Sequence, residues 1–236
     1  MRAEVLNEWV TLIEGDNRAA MELIDRAAVD ALVSDPPYGM SWNTDITRFT
    51  GGHDGRRRSR GLRSPRNRVE DDDRPFDPAP WLGFPRVVLF GFNHFAARLP
   101  VGTTLVWVKK QQHAYGTFLS DAELAWMKGG HGVYLHLDQS MNAETWDRRH
   151  PTQKPIGLMK WCIEKAKVPA GGLILDPYAG SGTTALAAMM TGRRCIVVES
   201  DARYCDVIRR RVEQVSGDGP GSLFHAPANG VPADDR

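Results

Sequence analysis

Three groups of residues have the types and spacing to do chemistry. The first is Asp176-Pro177-Tyr178-Ala179-Gly180-Ser181-Gly182-Thr183-Thr184, with Glu199 further on. Gly180 and Gly182 make a turn that only small residues allow. Backbone N–H groups at the start of the following helix can then approach a ligand closely. Glu199 lies 19 residues after Gly180, near the spacing at which an acid meets ribose hydroxyls. This is the arrangement of a nucleoside site. The pattern Gly180-x-Gly182-x-x-Ala185 keeps a nicotinamide or flavin ligand open, whereas no Lys follows the second glycine as a phosphate-cradling ATP loop requires. The plain alternative is a strand–turn–helix packed tightly for structural reasons. The second group is Asp35-Pro36-Pro37-Tyr38, an acid and an aromatic placed where an apolar run stops. The third is basic: Arg56, Arg57 and Arg58 lead an arginine-rich stretch, and Lys109-Lys110 close a later apolar run.

The elements that must position these groups follow from hydrophobic pattern. Leu173–Leu175 and Cys195–Val198 are short apolar runs fit for buried strands, and Thr183–Met190 between them reads as a helix stopped by Gly192. Trp9–Ile13, Val29–Val33, Val87–Phe90, Thr103–Val108, Glu123–Met127 and Val133–Leu137 read as further strands. Ala20, Leu23, Ile24 and Ala27 recur at helical spacing behind a Gly15-Asp16-Asn17 turn, in which Asp16 or Asn17 can cap. Asn93 is expected to cap a short helix through Leu99. Ile156, Met159, Ile163 and Ala166 form one apolar stripe, with Pro155 in the first turn. Tyr204, Val207, Ile208, Val212 and Val215 form another. Alternating strands and helices predict an α/β fold of Rossmann-like type. Its sheet is mostly parallel, with helices on both faces and an antiparallel hairpin at one edge. In such sheets ligands bind at the carboxyl ends of the strands, where Asp35 and Gly180 both fall.

The chain has 236 residues, enough for one sizeable α/β core, and its net charge of +1 does not announce a polyanion partner. Cys162, Cys195 and Cys205 are few, odd in number and lack Cys-x-x-Cys spacing, so a structural zinc or a disulfide framework is not expected and a reducing cytoplasm is. No signal peptide or membrane span is expected. One catalytic domain over 1–215 is expected, interrupted by a mobile loop at about 43–75 and followed by a disordered tail at 216–236. The loop's arginines are followed by Glu70, Asp71, Asp72 and Asp73, so it reads either as a self-neutralising linker or as an arm that meets nucleic-acid phosphates.

Taken in order, Asp35-Pro36-Pro37-Tyr38, His150-Pro151-Thr152-Gln153-Lys154-Pro155 and the Asp176–Thr184 motif resemble those of the S-adenosylmethionine-dependent DNA amino-methyltransferases of the beta permutation group. The resemblance spans roughly residues 7–215 and implies a circularly permuted class I methyltransferase fold with a seven-stranded sheet, cut between its second and third strands. It implies S-adenosylmethionine as cofactor, S-adenosylhomocysteine as product, and double-stranded DNA as partner. Asp35, Pro36 and Tyr38 would be catalytic. The Asp35 carboxylate and the Pro36 carbonyl would accept hydrogen bonds from the N6 amine of a flipped-out adenine, and Tyr38 would stack on the base. Asp176, Tyr178, Gly180, Ser181, Gly182 and Thr183 would line the cofactor, and Glu199 would take its ribose hydroxyls. Thr152 and Lys154 would close over it, with Asp16 near its adenine. No metal is implied. Arg56, Arg57, Arg58, Lys109 and Lys110 would meet DNA phosphates.

Relatives usually carry a sizeable target-recognition segment before the His-Pro-Thr motif, and here only about 128–149 is available. The target site is therefore expected to be short or loosely specified. Cytosine N4 is the near alternative to adenine N6, since one geometry serves both amines; the acid-first motif goes more often with adenine. Relatives are often homodimers, but no interface signature is apparent. A dinucleotide oxidoreductase would leave Asp35-Pro36-Pro37-Tyr38 unexplained. A non-catalytic DNA-binding module would leave the full set of acids and glycines unexplained.

Overall fold

A computed structural model describes residues 1–40, 72–117, 120–138 and 153–216. Eight strands form one sheet: β1 Arg2–Val5, β2 Val10–Glu14, β3 Ala31–Ser34, β4 Val87–Phe90, β5 Gly102–Val108, β6 Ala122–Leu137, β7 Leu173–Asp176 and β8 Arg194–Glu199. Their spatial order is β1-β2-β8-β7-β3-β4-β6-β5. The four α-helices among the described residues are α1 Asn17–Ala20, α2 Ile156–Lys165, α3 Thr183–Met190 and α4 Ala202–Ser216.

The middle of the sheet, β2-β8-β7-β3-β4, is parallel throughout. Its strands are covered on both sides, which is why Val-Val-Leu-Phe and Ala-Leu-Val-Ser are buried along their whole length. One face packs on α2, α3 and α4 through Leu158, Met159, Leu186, Ile208 and Val212. Helix α3 is buried from Thr183 to Met189, as expected of a helix apolar all round. The other face is covered more thinly than expected. There α1 is a single turn, and short 3-10 turns bring in Trp81, Phe84 and Phe95. The helix expected over Ala20–Ala27 stops at Ala20, because the Asp25 carboxylate accepts from Ala27 N and opens a new turn at Arg26–Ala28. The helix expected after Asn93 is likewise two 3-10 turns, the first starting from Gly91 rather than Asn93.

Both edges depart from this all-parallel order. β1, which the hydrophobic pattern does not announce, pairs antiparallel with β2, and the sheet has eight strands among the described residues where the resemblance implies seven. At the far edge the two strands expected at 123–127 and 133–137 are one bent strand, β6, wrapped around β5. Thr104 pairs with Trp126 and Val106 with Leu124, so the first limb runs antiparallel to β5. Thr104 also pairs with Val133 and Val106 with Leu135, so the second limb runs parallel to it. The bend falls at Gly129-Gly130, both with positive φ. Residues 41–71, 118–119, 139–152 and 217–236 lie outside the described residues. They include Arg56, Arg57, Arg58 and Thr152, the tail apart from Ser216, most of the loop, and the second half of the short recognition segment, whose first half belongs to β6.

Candidate active site

β3 and β7 are neighbours in parallel register, Leu32 beside Leu175, so their carboxyl ends open at one sheet edge. The link is direct. Ser34 Oγ donates to Asp176 Oδ1 at 2.6 Å, and Thr184 Oγ1 donates to Asp176 Oδ2 at 2.5 Å. Burial pushes the Asp176 carboxyl up to about 6 despite these donors. Asp35 follows Ser34, so it stands beside the glycine turn that follows Asp176. Asp35, Lys154, Asp176, Tyr178, Gly180 and Ser181 all line one cleft of about 50 Å³, a space for the reacting end of a ligand rather than for a whole nucleoside. Asp35 and Gly180 therefore share a cleft. A larger hollow of about 290 Å³ lies beside Arg18, Arg26 and Trp81, and none of the expected catalytic or cofactor residues lines it.

The turn itself depends on its glycines. Gly182 has φ +78°, and a Cβ there would sit 2.9 Å from Ile208 Cγ1 of α4. From α4 the buried Arg211 guanidinium donates to Ser181 O at 2.7 Å, to Ser181 Oγ at 3.1 Å and to Thr183 Oγ1 at 3.3 Å. Glu199, at the end of β8, accepts from Gly180 N at 2.8 Å and from Asp201 N at 2.9 Å. Burial pushes its carboxyl up to about 7. Asp16 stands at the end of the neighbouring β2. There its side chain caps α1 by accepting from Ala19 N at 2.8 Å. Tyr178 lines the cleft with its ring edge-on to Phe76 and Trp81.

On the other side of the cleft a chain of polar groups runs Tyr38–Asp35–Lys154–Glu123–Lys109. Asp35 Oδ1 accepts from Tyr38 Oη at 2.5 Å, and Oδ2 from Lys154 Nζ at 2.6 Å. Lys154, 7% exposed, also lies 3.0 Å from Glu123 Oε2, and Lys109 Nζ donates to Glu123 Oε1 at 2.6 Å. Burial pushes the Asp35 carboxyl above the ordinary aspartate value against the pull of Lys154. Burial also opposes charge on Lys154, but Asp35 and Glu123 override it and hold its ammonium well above the ordinary lysine range. Lys154 and Lys109 likewise overcome burial at Glu123 and bring its carboxyl down to about 2. The Tyr38 ring is stacked on His94, with centroids 5.1 Å apart, and lies against Gly91, where an added Cβ would come within 2.0 Å of it.

Several expectations change in detail. Lys154, which the resemblance puts over the cofactor, lines the cleft and is also the ion-pair partner of Asp35. Lys109 is paired with Glu123 and Lys110 with Asp121 at 2.9 Å, so both already have a carboxylate partner within the protein. Pro36 is buried behind Asp35, and Pro155 sits at the N-cap of α2 rather than in its first turn. Glu123, Ser34, Thr184 and Arg211 were missed. Only Arg211 gave a sequence signal, as a charge beside Val212 on the face that α4 buries. Among the described residues no cluster of metal-ligating side chains occurs, and no helix is long and apolar enough to cross a membrane.

Known proteins resemble this chain in sequence and in fold. Residues 101–210 match a family model described as DNA methylase. The chain is 43% identical over 70 residues to the type II methyltransferase M2.DpnII of Streptococcus pneumoniae, a stretch covering 30% of this chain and 26% of that protein. It is 35% identical over 75 residues to M2.MboI of Moraxella bovis, covering 30% of this chain and 27% of that one. The matches thus span about a quarter of the length of these curated relatives. In fold, it superposes on the Thermus thermophilus protein TTHA0409, named as a DNA modification methylase, with TM-score 0.55 and 20% identity over 88% of this chain and 96% of the other. The complex of M1.HpyAVI with SAM superposes with TM-score 0.54 at 20% identity, over 86% of this chain and 99% of the other. The class I methyltransferase fold expected from the motif order is the fold of these neighbours.

Proposed function

We propose that this chain, whose motifs and fold are those of the S-adenosylmethionine-dependent DNA amino-methyltransferases, transfers a methyl group to the exocyclic N6 amine of a flipped-out adenine in double-stranded DNA. The observation that carries this reading is the shared cleft, with the Asp35 carboxylate on one wall and the Gly180–Gly182 turn on the other. The residues fit S-adenosylmethionine. The Gly180 and Ser181 turn lines the cleft beside Asp35, and Glu199, held against Gly180 N, is an acid whose oxygens can accept ribose hydroxyls. Gly180, Ser181 and Asp176 would hold the rest of the molecule. When bound, S-adenosylmethionine supplies an electrophilic methyl group.

The chain's own residues supply the rest. The lone pair of an aromatic amine is delocalised into its ring and is a poor nucleophile. Asp35, accepting a hydrogen bond from the amine, localises that lone pair and offsets the positive charge that grows on nitrogen. Its carboxylate is preorganised, because Pro36 and Pro37 fix the backbone and Tyr38 holds Oδ1. The acid-first motif favours adenine over cytosine N4.

Incubating the protein with S-adenosylmethionine and unmethylated DNA, followed by digestion and mass spectrometry of nucleosides, tests this. N6-methyladenine is the expected product, and N4-methylcytosine would move the assignment to the other amine. Asp35→Asn is expected to lower the rate by about 100-fold or more. Absence of any methylated nucleoside with well-folded protein that binds S-adenosylmethionine would sink the reading.

A further inference from the structure

Both oxygens of Asp35 already hold a donor: Oδ1 accepts from Tyr38 at 2.5 Å and Oδ2 from Lys154 at 2.6 Å. An amine that donates to this carboxylate competes with one of them for the same oxygen. Tyr38 is poorly placed to move, since its ring is clasped between His94 and Gly91. Lys154 has a flexible four-carbon stem and a second carboxylate beside it. That carboxylate is Glu123, whose buried Oε2 is in ion-pair contact with Lys154 Nζ at 3.0 Å, longer than the 2.6 Å of Lys154 to Asp35. Its other oxygen is anchored by Lys109 at 2.6 Å, so the acceptor is fixed in place beside the ammonium.

We propose that Glu123 is a positioning residue that receives the Lys154 ammonium when the target amine claims Asp35 Oδ2. This deepens the methyl-transfer reading and rests on it. The handover is short, and it strands no charge. Two lysines face two carboxylates before and after, so neither Asp35 nor Lys154 becomes an unpaired buried ion, which would be costly. The charged and titratable groups facing Asp35 come from every neighbouring element: Tyr38 from its own segment, Lys154 from before α2, Glu123 from β6, and Asp176 from β7. Lys109, from the end of β5, faces Glu123.

The variant Glu123→Gln leaves Lys154 with Asp35 as its only anionic partner, so the ammonium competes with the amine. Single-turnover methylation of unmethylated genomic DNA is expected to slow at least tenfold, while the Kd for S-adenosylmethionine stays within twofold. Proton exchange of the Lys154 ammonium, followed by NMR and assigned with Lys154→Arg, is expected to quicken at least fivefold. A parental rate, a loss that tracks cofactor affinity, or unchanged ammonium exchange would each overturn the proposal. If Glu123→Gln does not fold, Lys109→Met releases Glu123 Oε1 and carries the same test with a smaller slowing; no slowing overturns it. A parent protein that methylates no base sinks the functional reading instead, and the NMR comparison still decides whether Glu123 holds Lys154.

Discussion

At the scale of single residues, Glu199 is expected to make cofactor binding sensitive to pH under the proposed function. Its carboxyl is pushed up to about 7, and the ribose hydroxyls assigned to it under the proposed function would donate to its ionised form. Above pH 7 the carboxylate is already charged; below it, a proton must first leave. Affinity for S-adenosylmethionine is therefore expected to fall as pH drops below about 7, by at most about tenfold per unit. Calorimetric titration from about pH 5.5 to 8.5 checks this, and a flat profile would count against ribose recognition by Glu199. The residues that carried the motifs were legible because chemistry fixes their spacing: Asp35 with Tyr38, and Gly180 with Glu199. Ser34 and Glu123 were not. Ser34 meets Asp176 across 142 positions of chain, and Glu123 meets Lys154 from another strand, so no local pattern announces either.

At the scale of elements, α4 serves the site from behind. Arg211 reaches from its buried face to the carbonyl of Ser181 and braces the glycine turn. Arg211→Met is expected to cost about 2 kcal/mol of stability, since it leaves Ser181 O and two hydroxyls short of a donor. It is also expected to weaken S-adenosylmethionine binding more than it lowers the methylation rate at saturating cofactor. Thermal melts with binding titrations measure both, and unaltered affinity would show that the turn keeps its shape unaided. The buried strands were legible as elements, because a strand covered on both faces must be apolar throughout. β1 was not, since Arg2-Ala3-Glu4-Val5 is an exposed edge whose support comes from pairing with β2. The Ala20–Ala27 helix was misread because its apolar spacing was helical, yet the Asp25 cap restarted the chain in a new turn.

At the scale of the whole molecule, the site carboxyls act on stability. Asp176 is raised from its ordinary 3.8 to about 6 and Glu199 from 4.5 to about 7. A carboxyl raised in the folded state stabilises the fold when protonated, fully so below its unfolded value, and that gain is lost as pH rises through the folded value. Glu123 works the other way, but with its carboxyl at about 2 its contribution is lost only in acid below about pH 4.5. Between about pH 5 and 8 the free protein is therefore expected to lose stability as pH rises. Asp176→Asn, which cannot ionise, is expected to be more stable than the parent at pH 8 by on the order of 2 kcal/mol and to flatten the trend. Denaturant melts across this window check both, and a parental slope in Asp176→Asn would exclude Asp176 as its source. The strand order carries a further consequence. β2 and β3 are made early, yet β8 and β7 lie between them in the sheet. During synthesis the early strands must wait for the last third of the chain before either finds its parallel neighbour on that side. Until then the ribosome holds an unfinished protein with bare apolar ribbons and no cleft, so chaperone demand during translation is built into the topology.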